Sequence, residues 1–174
     1  GIALTLLTYL HGLNYIALKT KGVISDRAQN YSKALYWVLY VGEVIFALLL
    51  LFQTDFLQVH PILTLLCLVL IVGFSVAGHV ANFVNKQGWA FFFSGLTLVS
   101  LVALIFCGLF PRVMISSISS KYDLMIQSAS SSNYTLIVMT IATIILIPCI
   151  LAYTIWSYWI FRKRIEMPAI GEGY

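Results

Sequence analysis

Ionisable side chains are scarce in this 174-residue chain, and those that fall inside its apolar stretches are the ones whose chemistry needs explaining. Glu43 is the first. It lies about nine residues past the start of an apolar run at residue 34, or roughly 14 Å along a helix, which places it near mid-membrane if the run spans a bilayer. An ionisable group at that depth is costly and is kept where it does something, so Glu43 is a proton-relay candidate. The plainer alternative is a protonated carboxyl hydrogen-bonded to a neighbouring helix. His11 and His79 form the second case. They fall at similar depth on two helices and could ligate one haem, although hydrogen-bonded packing accounts for two lone histidines more simply. His60 stands beside Pro61 at a helix edge, where water satisfies it, and it takes no role.

Other chemistries find little support. Cys67, Cys107 and Cys149 lie within apolar runs and form no C-x-x-C pair, which reads as small apolar packing residues rather than a disulfide framework or a zinc site. Asn133, Tyr134 and Thr135 spell a glycosylation sequon, a three-residue pattern that needs a secretory host. The 24 residues from Arg112 to Thr135 include eight serines, yet they hold no nucleophile with a base, no Gly-rich phosphate cradle and no ligand cluster. A loop that long in a compact bundle is either functional or disordered. Such a chain reads as a support for a partner rather than a catalyst on its own.

The elements that must carry these residues follow from composition. Hydrophobic residues make up 61% and charged residues 9%, where a water-soluble domain carries about 25% charged residues. Five runs are long enough to cross a bilayer, at about 1 to 18, 34 to 52, 61 to 83, 89 to 110 and 136 to 161. Of the sixteen Asp, Glu, Lys and Arg residues, fifteen fall outside these runs and Glu43 alone falls inside. The expected architecture is all-α: a single membrane domain over residues 1–174, a polytopic bundle with helices at about 1–18, 25–52, 61–83, 89–110 and 136–161. Continuous runs of helix length exclude the short alternating strands of a membrane barrel. Because Gly1 rather than Met opens the chain within an apolar run, the sequence is expected to be part of a longer polypeptide, and a signal peptide is unobservable.

Lys and Arg set the orientation, since they concentrate on the cytoplasmic side. Lys19, Lys21, Arg27, Lys33, Lys86, Arg162, Lys163 and Arg164 fall on one side, and Arg112 and Lys121 on the other. The chain is therefore expected to start outside and to end in the cytoplasm. Tyr36, Trp37, Tyr40, Trp89, Tyr153, Trp156, Tyr158 and Trp159 cluster toward the inner face, at headgroup level. Ser25 and Asp26, with Gln29 three residues after Asp26, suggest a capping box that starts the second helix before the membrane. Pro61 suits a first turn, Pro111 stops the fourth helix and Pro148 should kink the fifth. Gly73, Ala77 and Gly78 form a small-residue stripe that would admit a close neighbour.

One stretch resembles a known family. GLFPRVMISSISSKYDLMIQSASSSNYTLIVMTIATIILIPCILAYTIWSYWIFRKRI is similar to the C-terminal region of subunit II of the cytochrome bd-type quinol oxidases, through FPRVM followed by serines, ASSS, YTL-x-VMT and a proline-bearing helix ending in YTIWSYWIFRKRI. Upstream, HGLNYIALKTKG resembles the family's G-x-NY-x-ALKT-x-G segment, which ends a transmembrane helix on the cytoplasmic side. The resemblance implies a nine-helix subunit, of which this chain would hold the fifth to ninth helices, entering from outside and ending inside. It implies a place in a heterodimeric terminal oxidase of the bacterial cytoplasmic membrane that oxidises quinol, reduces dioxygen to water and conserves energy in a proton gradient. The b-type and d-type haems and the quinol site would belong to a haem-bearing subunit I. Subunit II would bind no haem and would contribute assembly, a proton path and an oxygen route.

Acidic residues assigned to the family's proton path lie in its N-terminal half, so the resemblance does not pass that role to Glu43. Gln127 and Ser128 depart from the aromatic or Asn common before ASSS, a change confined to a loop. By position, Pro111, Arg112, Ser130, Ser131 and Ser132 carry the family signature and would fix the outer loop, while Arg162, Lys163 and Arg164 would anchor the topology and attract anionic lipid. Membrane lipid and, through the complex, quinol are the remaining expected partners; no nucleic acid is expected. Two rivals stay open at this point: a secondary-transporter half built on Pro148, Gly73 and Glu43, and a bis-histidine haem anchor built on His11 and His79.

Overall fold

The computed structural model describes residues 1–116 and 118–163 of a mostly helical chain. Residues 1–108 form one compact unit and residues 109–163 a second. The first unit holds α1 (Ile2–Lys19), α2 (Val23–Gln53), the short α3 (Phe56–Val59), α4 (Pro61–Phe83) and α5 (Gln87–Leu109), whose last residue begins the second unit. The second unit continues with β1 (Arg112–Met114), a 3-10 turn at Ser120–Tyr122, β2 (Leu124–Met125), α6 (Ile126–Ala129) and α7 (Asn133–Ile160).

Each long helix of the first unit buries one stripe at helical spacing. On α2 it runs through Ser25, Gln29, Ser32, Tyr36 and Leu39, and on α4 through Thr64, Cys67, Ile71, Ser75, His79 and Asn82. Steps of three and four residues keep these side chains on one face. The stripes are unusually polar: eleven of the buried residues are Asn, Gln, Ser, Thr or His, while Val44, Leu48, Val69 and Val99 point outward. That inversion is what a bilayer selects, because lipid solvates Leu and Val as well as a protein core does, and small or hydrogen-bonding groups gain most from helix contacts.

Local chemistry sets the ends. Gly22, at φ +69°, caps α2 with no side-chain bond, so the helix starts at Val23 and the capping box expected at Ser25, Asp26 and Gln29 does not form. Those side chains lie inside the helix and reach across instead: Ser25 donates to the Ala17 carbonyl at 2.9 Å and Gln29 to the Asn82 carbonyl at 2.8 Å. Pro61 opens α4 at the position where no N–H is needed. Phe56, buried on α3, packs over Gly108, where any β-carbon would overlap the ring. Of the two glycines in the small-residue stripe on α4, one admits a close neighbour. A β-carbon on Gly78 would stand 2.7 Å from the Tyr36 hydroxyl, whereas one on Gly73 would meet nothing within 4 Å.

Among the described residues, four helices are long and apolar enough to cross a membrane: α2, α4, α5 and α7. The 18-residue α1 falls outside that set, because Thr5, Thr8, His11, Asn14 and Lys19 dilute its apolar content. In the second unit the serine-rich segment is structured rather than an open loop. It forms an antiparallel pair with Arg112 opposite Met125 and Met114 opposite Leu124, following a cis Phe110–Pro111 peptide. α7 is continuous through Pro148.

Candidate functional site

Polar groups in the first unit gather in layers along the helices, beginning at the end that carries Lys19, Lys21, Arg27, Lys33 and Lys86. There, α1, α2 and α4 share a network with its donors and acceptors paired across helices. Ser32 donates to Asn14 Oδ1 at 2.6 Å, Asn82 Nδ2 to Ser32 Oγ at 2.8 Å, and Asn14 Nδ2 to the Tyr36 hydroxyl at 3.2 Å. Gln29 adds a bond to Asn85 Oδ1 at 2.5 Å, and Asn85 holds the α4–α5 turn in a left-handed conformation at φ 59°. Buried amides with partners are stabilising, and each would be costly alone.

One turn further along α2 and α4 lies an imidazole layer. His79 Nδ1 is 2.8 Å from the Tyr40 hydroxyl. The His79 ring stacks on Tyr36 at 4.7 Å, packs against Phe83 at 4.8 Å and meets the Trp37 ring edge-on at 5.6 Å. Next along the helices, Ser75 on α4 faces the Glu43 carboxyl on α2. Glu43 also borders a small cavity of about 30 Å³ where α1, α2, α4 and α5 converge, lined by Leu7, Phe46, Ile71, Thr97 and Leu101 among others. Glu43 Oε1, Ser75 Oγ and His79 Nε2 are the buried side-chain atoms that lack a hydrogen-bond partner among the described residues.

His11 is held elsewhere, with Nδ1 2.8 Å from Ser94 Oγ on α5 and its ring stacked on Phe91 at 4.4 Å. The structure thus gives His11 and His79 separate partners rather than a common ligand. A macrocycle needs open space at an imidazole nitrogen, but Nδ1 of each ring is engaged by a hydroxyl, His79 is packed among Tyr36, Trp37, Tyr40 and Phe83, and His11 is stacked on Phe91. These residues do not fit a haem. Among the described residues, no group of three or more His, Cys, Asp or Glu could hold a metal ion. Cys67, Cys107 and Cys149 are free thiols.

In the second unit, Arg112 pairs with Asp123 at 3.5 Å, and Asp123 also accepts the Ser116 N–H at 2.8 Å, so one carboxylate ties both limbs of the hairpin. Ser130 donates to the Gln127 carbonyl at 3.4 Å. Ser132 caps α7 by accepting the Thr135 N–H at 3.4 Å, with the two hydroxyls 3.0 Å apart. Pro111 accepts the Ile126 N–H through its carbonyl at 3.1 Å. The sequon residues are therefore the first turn of α7. Of the basic cluster, Arg162 lies over the Trp159 ring at 4.8 Å, and Arg164 lies outside the described residues.

Sequence reasoning found Glu43 and His79 but not Tyr40, Ser75, Asn14, Ser32 or Asn82, which surround them. Their signal was present as polar residues at helical spacing leading into and within apolar runs, Gln29–Ser32–Tyr36–Glu43 on α2 and Ser75–His79–Asn82 on α4. What the one-dimensional pattern lacks is which helix faces which.

The family model described as "Cytochrome bd terminal oxidase subunit II" matches residues 1–161. The cytochrome bd ubiquinol oxidase subunit 2 of Bacillus subtilis (strain 168) is 41% identical over 166 residues, covering 95% of this chain and 49% of the relative. The cytochrome bd-I ubiquinol oxidase subunit 2 of Escherichia coli (strain K12) is 43% identical over 89 residues, covering 51% of this chain and 24% of the relative. A probable cytochrome oxidase subunit 2 of Haemophilus influenzae is 32% identical over 121 residues, covering 70% and 30%. The chain spans at most about half the length of these relatives.

Proposed function

Because this chain belongs to the cytochrome bd terminal oxidase subunit II family, we propose that it serves a quinol oxidase as its non-haem subunit, supporting quinol oxidation and dioxygen reduction to water while a proton-motive force is built. The observation that carries this is the match along residues 1–161, which takes in every long helix among the described residues. The partner is a haem-bearing subunit I that holds the b-type and d-type haems and the quinol site. This chain's own part is to pack, to orient and to handle protons. The separate side-chain partners of His11 and His79 support assigning the redox chemistry to subunit I.

Five spans, counting α1, form one membrane domain that starts outside and ends in the cytoplasm. The polar stripe of α1 supports including it, since His11 and Asn14 bond to α5 and α2 and are not left facing lipid. Lys19, Lys21, Arg27, Lys33 and Lys86 then face the cytoplasm, with Arg162 and Lys163 of the tail anchoring the same side against anionic headgroups. Pro111, Arg112 and Ser130–Ser132 hold the outer hairpin and start α7. Glu43 is the proton-relay carboxyl of this half.

The test is to express the full-length subunit, tagged, with and without the haem-bearing partner, and to record reduced-minus-oxidised spectra beside quinol-dependent oxygen consumption. Haem and activity that appear only when the partner co-purifies support the reading. A b-type spectrum from the tagged chain alone, abolished by His11→Ala or His79→Ala, overturns it.

A further inference from the structure

The three unpartnered buried polar atoms of the first unit are not scattered. They occupy two successive rungs between α2 and α4. In the lower rung Tyr40 meets His79, and the bond between them at 2.8 Å uses Nδ1 and leaves Nε2 without a partner. In the upper rung Ser75 lies close enough to Glu43 to act on its carboxyl, yet neither Glu43 Oε1 nor Ser75 Oγ has a partner at full hydrogen-bonding distance and angle. Tyr40 and Glu43 are three residues apart and Ser75 and His79 four, so each pair shares a helix face.

Rungs separated by one helical turn are about 5.4 Å apart. Two hydrogen bonds of about 2.8 Å end to end span the same distance, which is the reach of a single water molecule. A buried donor or acceptor left bare in a membrane interior costs several kcal/mol, and three of them on adjoining turns of two facing helices offer a water the two to four polar partners it needs.

From this we infer a bound-water site between α2 and α4, held by Glu43 Oε1, Ser75 Oγ and His79 Nε2, across which Glu43 and His79 exchange a proton. The inference deepens the relay role given to Glu43 above and rests on it. With Nδ1–H donating to the Tyr40 oxygen, Nε2 presents a lone pair. Glu43 gives its proton to the water as the water gives one of its own to Nε2; the carboxyl becomes a carboxylate, the imidazole an imidazolium, and the water is regenerated. The pair stays neutral as a whole, so the step moves a proton by one helical turn without leaving net charge in the hydrocarbon. Ser75 is a positioning residue, since its hydroxyl orients the water and need not itself lose a proton.

Toward the basic end, the paired Asn14–Ser32–Asn82 network separates this site from the Lys-bearing surface. Amides whose donors and acceptors are already engaged pass protons poorly, so the site exchanges locally and not through that network.

The experiment is infrared difference spectroscopy on the complex that the tagged full-length subunit purifies with, in ordinary, deuterated and heavy-oxygen water. The native complex is expected to show a protonated-carboxyl band that is lost in Glu43→Gln and a water band that moves in heavy-oxygen water. Ser75→Ala is expected to lose the water band and to shift the carboxyl band, and His79→Phe to do the same. Deuterium exchange of the carboxyl, present in the native complex, should be lost on the same timescale in Ser75→Ala. A carboxyl band indifferent to both Ser75→Ala and His79→Phe overturns the site, as does a native complex with no water band that Ser75→Ala removes. If His79→Phe fails to assemble, Ser75→Ala alone decides. Haem content and oxygen consumption of the native preparation judge the oxidase reading separately: an active, haem-replete complex lacking the water band rejects this inference and leaves that reading standing.

Discussion

Ser32 links two helices through one hydroxyl, donating to Asn14 Oδ1 and accepting from Asn82 Nδ2. Ser32→Ala removes both bonds and leaves an amide on each side buried, which should cost about 1–3 kcal/mol; the check is a lower thermal inactivation temperature of the purified complex, with its haem spectrum unchanged below that temperature. Glu43→Gln keeps the shape of the side chain but cannot release a proton. If Glu43 relays protons, quinol oxidase turnover and proton uptake should fall together in that variant, and unchanged values for both would reject the relay. The sequence made Glu43 conspicuous because one carboxylate inside an apolar run stands alone in one dimension. Ser32 and Asn82 were illegible for the opposite reason: single Ser and Asn residues are common, and their importance comes from a partner some 50 residues away.

Helix positions were largely readable because hydrophobic runs end where charge, Gly or Pro begins. The helix expected over 61–83 spans Pro61–Phe83, and the one expected over 25–52 extends from Val23 to Gln53. Starts moved where caps were misjudged: α5 begins at Gln87 rather than 89, and α7 at Asn133 rather than 136, because Ser132 supplies the cap. Ser132→Ala should weaken the first turn of α7 by about 0.5–2 kcal/mol, seen as faster amide hydrogen exchange at residues 133–136, and Ser132→Asp should restore it. The hairpin at 112–125 was hidden in the serine-rich stretch, since its order depends on Asp123 reaching back to Arg112 and to the Ser116 amide. Asp123→Ala should loosen it, giving faster proteolysis between residues 112 and 125. At α3, Gly108→Ala should drive Phe56 from its seat, an overpacking that costs about 1–3 kcal/mol.

For the molecule as a whole, the proposed topology makes a prediction that any oxidase assay would miss. In right-side-out vesicles an impermeant thiol reagent should label Ser119→Cys and spare Lys86→Cys, in a background where Cys67, Cys107 and Cys149 are replaced; the reverse pattern would invert the bundle. Length adds a separate consequence. α4 and α5, each of 23 residues, measure about 35 Å, and α2, with 31 residues, about 46 Å. A hydrocarbon layer near 30 Å therefore matches α4 and α5 and is overshot by α2, whose first turns bear Asp26, Arg27, Gln29 and Lys33. The bundle is consequently gauged to bilayer thickness by two helices, while the third projects as a fixed post beyond the lipid. Lipids with longer or shorter acyl chains should tilt α4 and α5 and strain the amide network that ties α4 to that post.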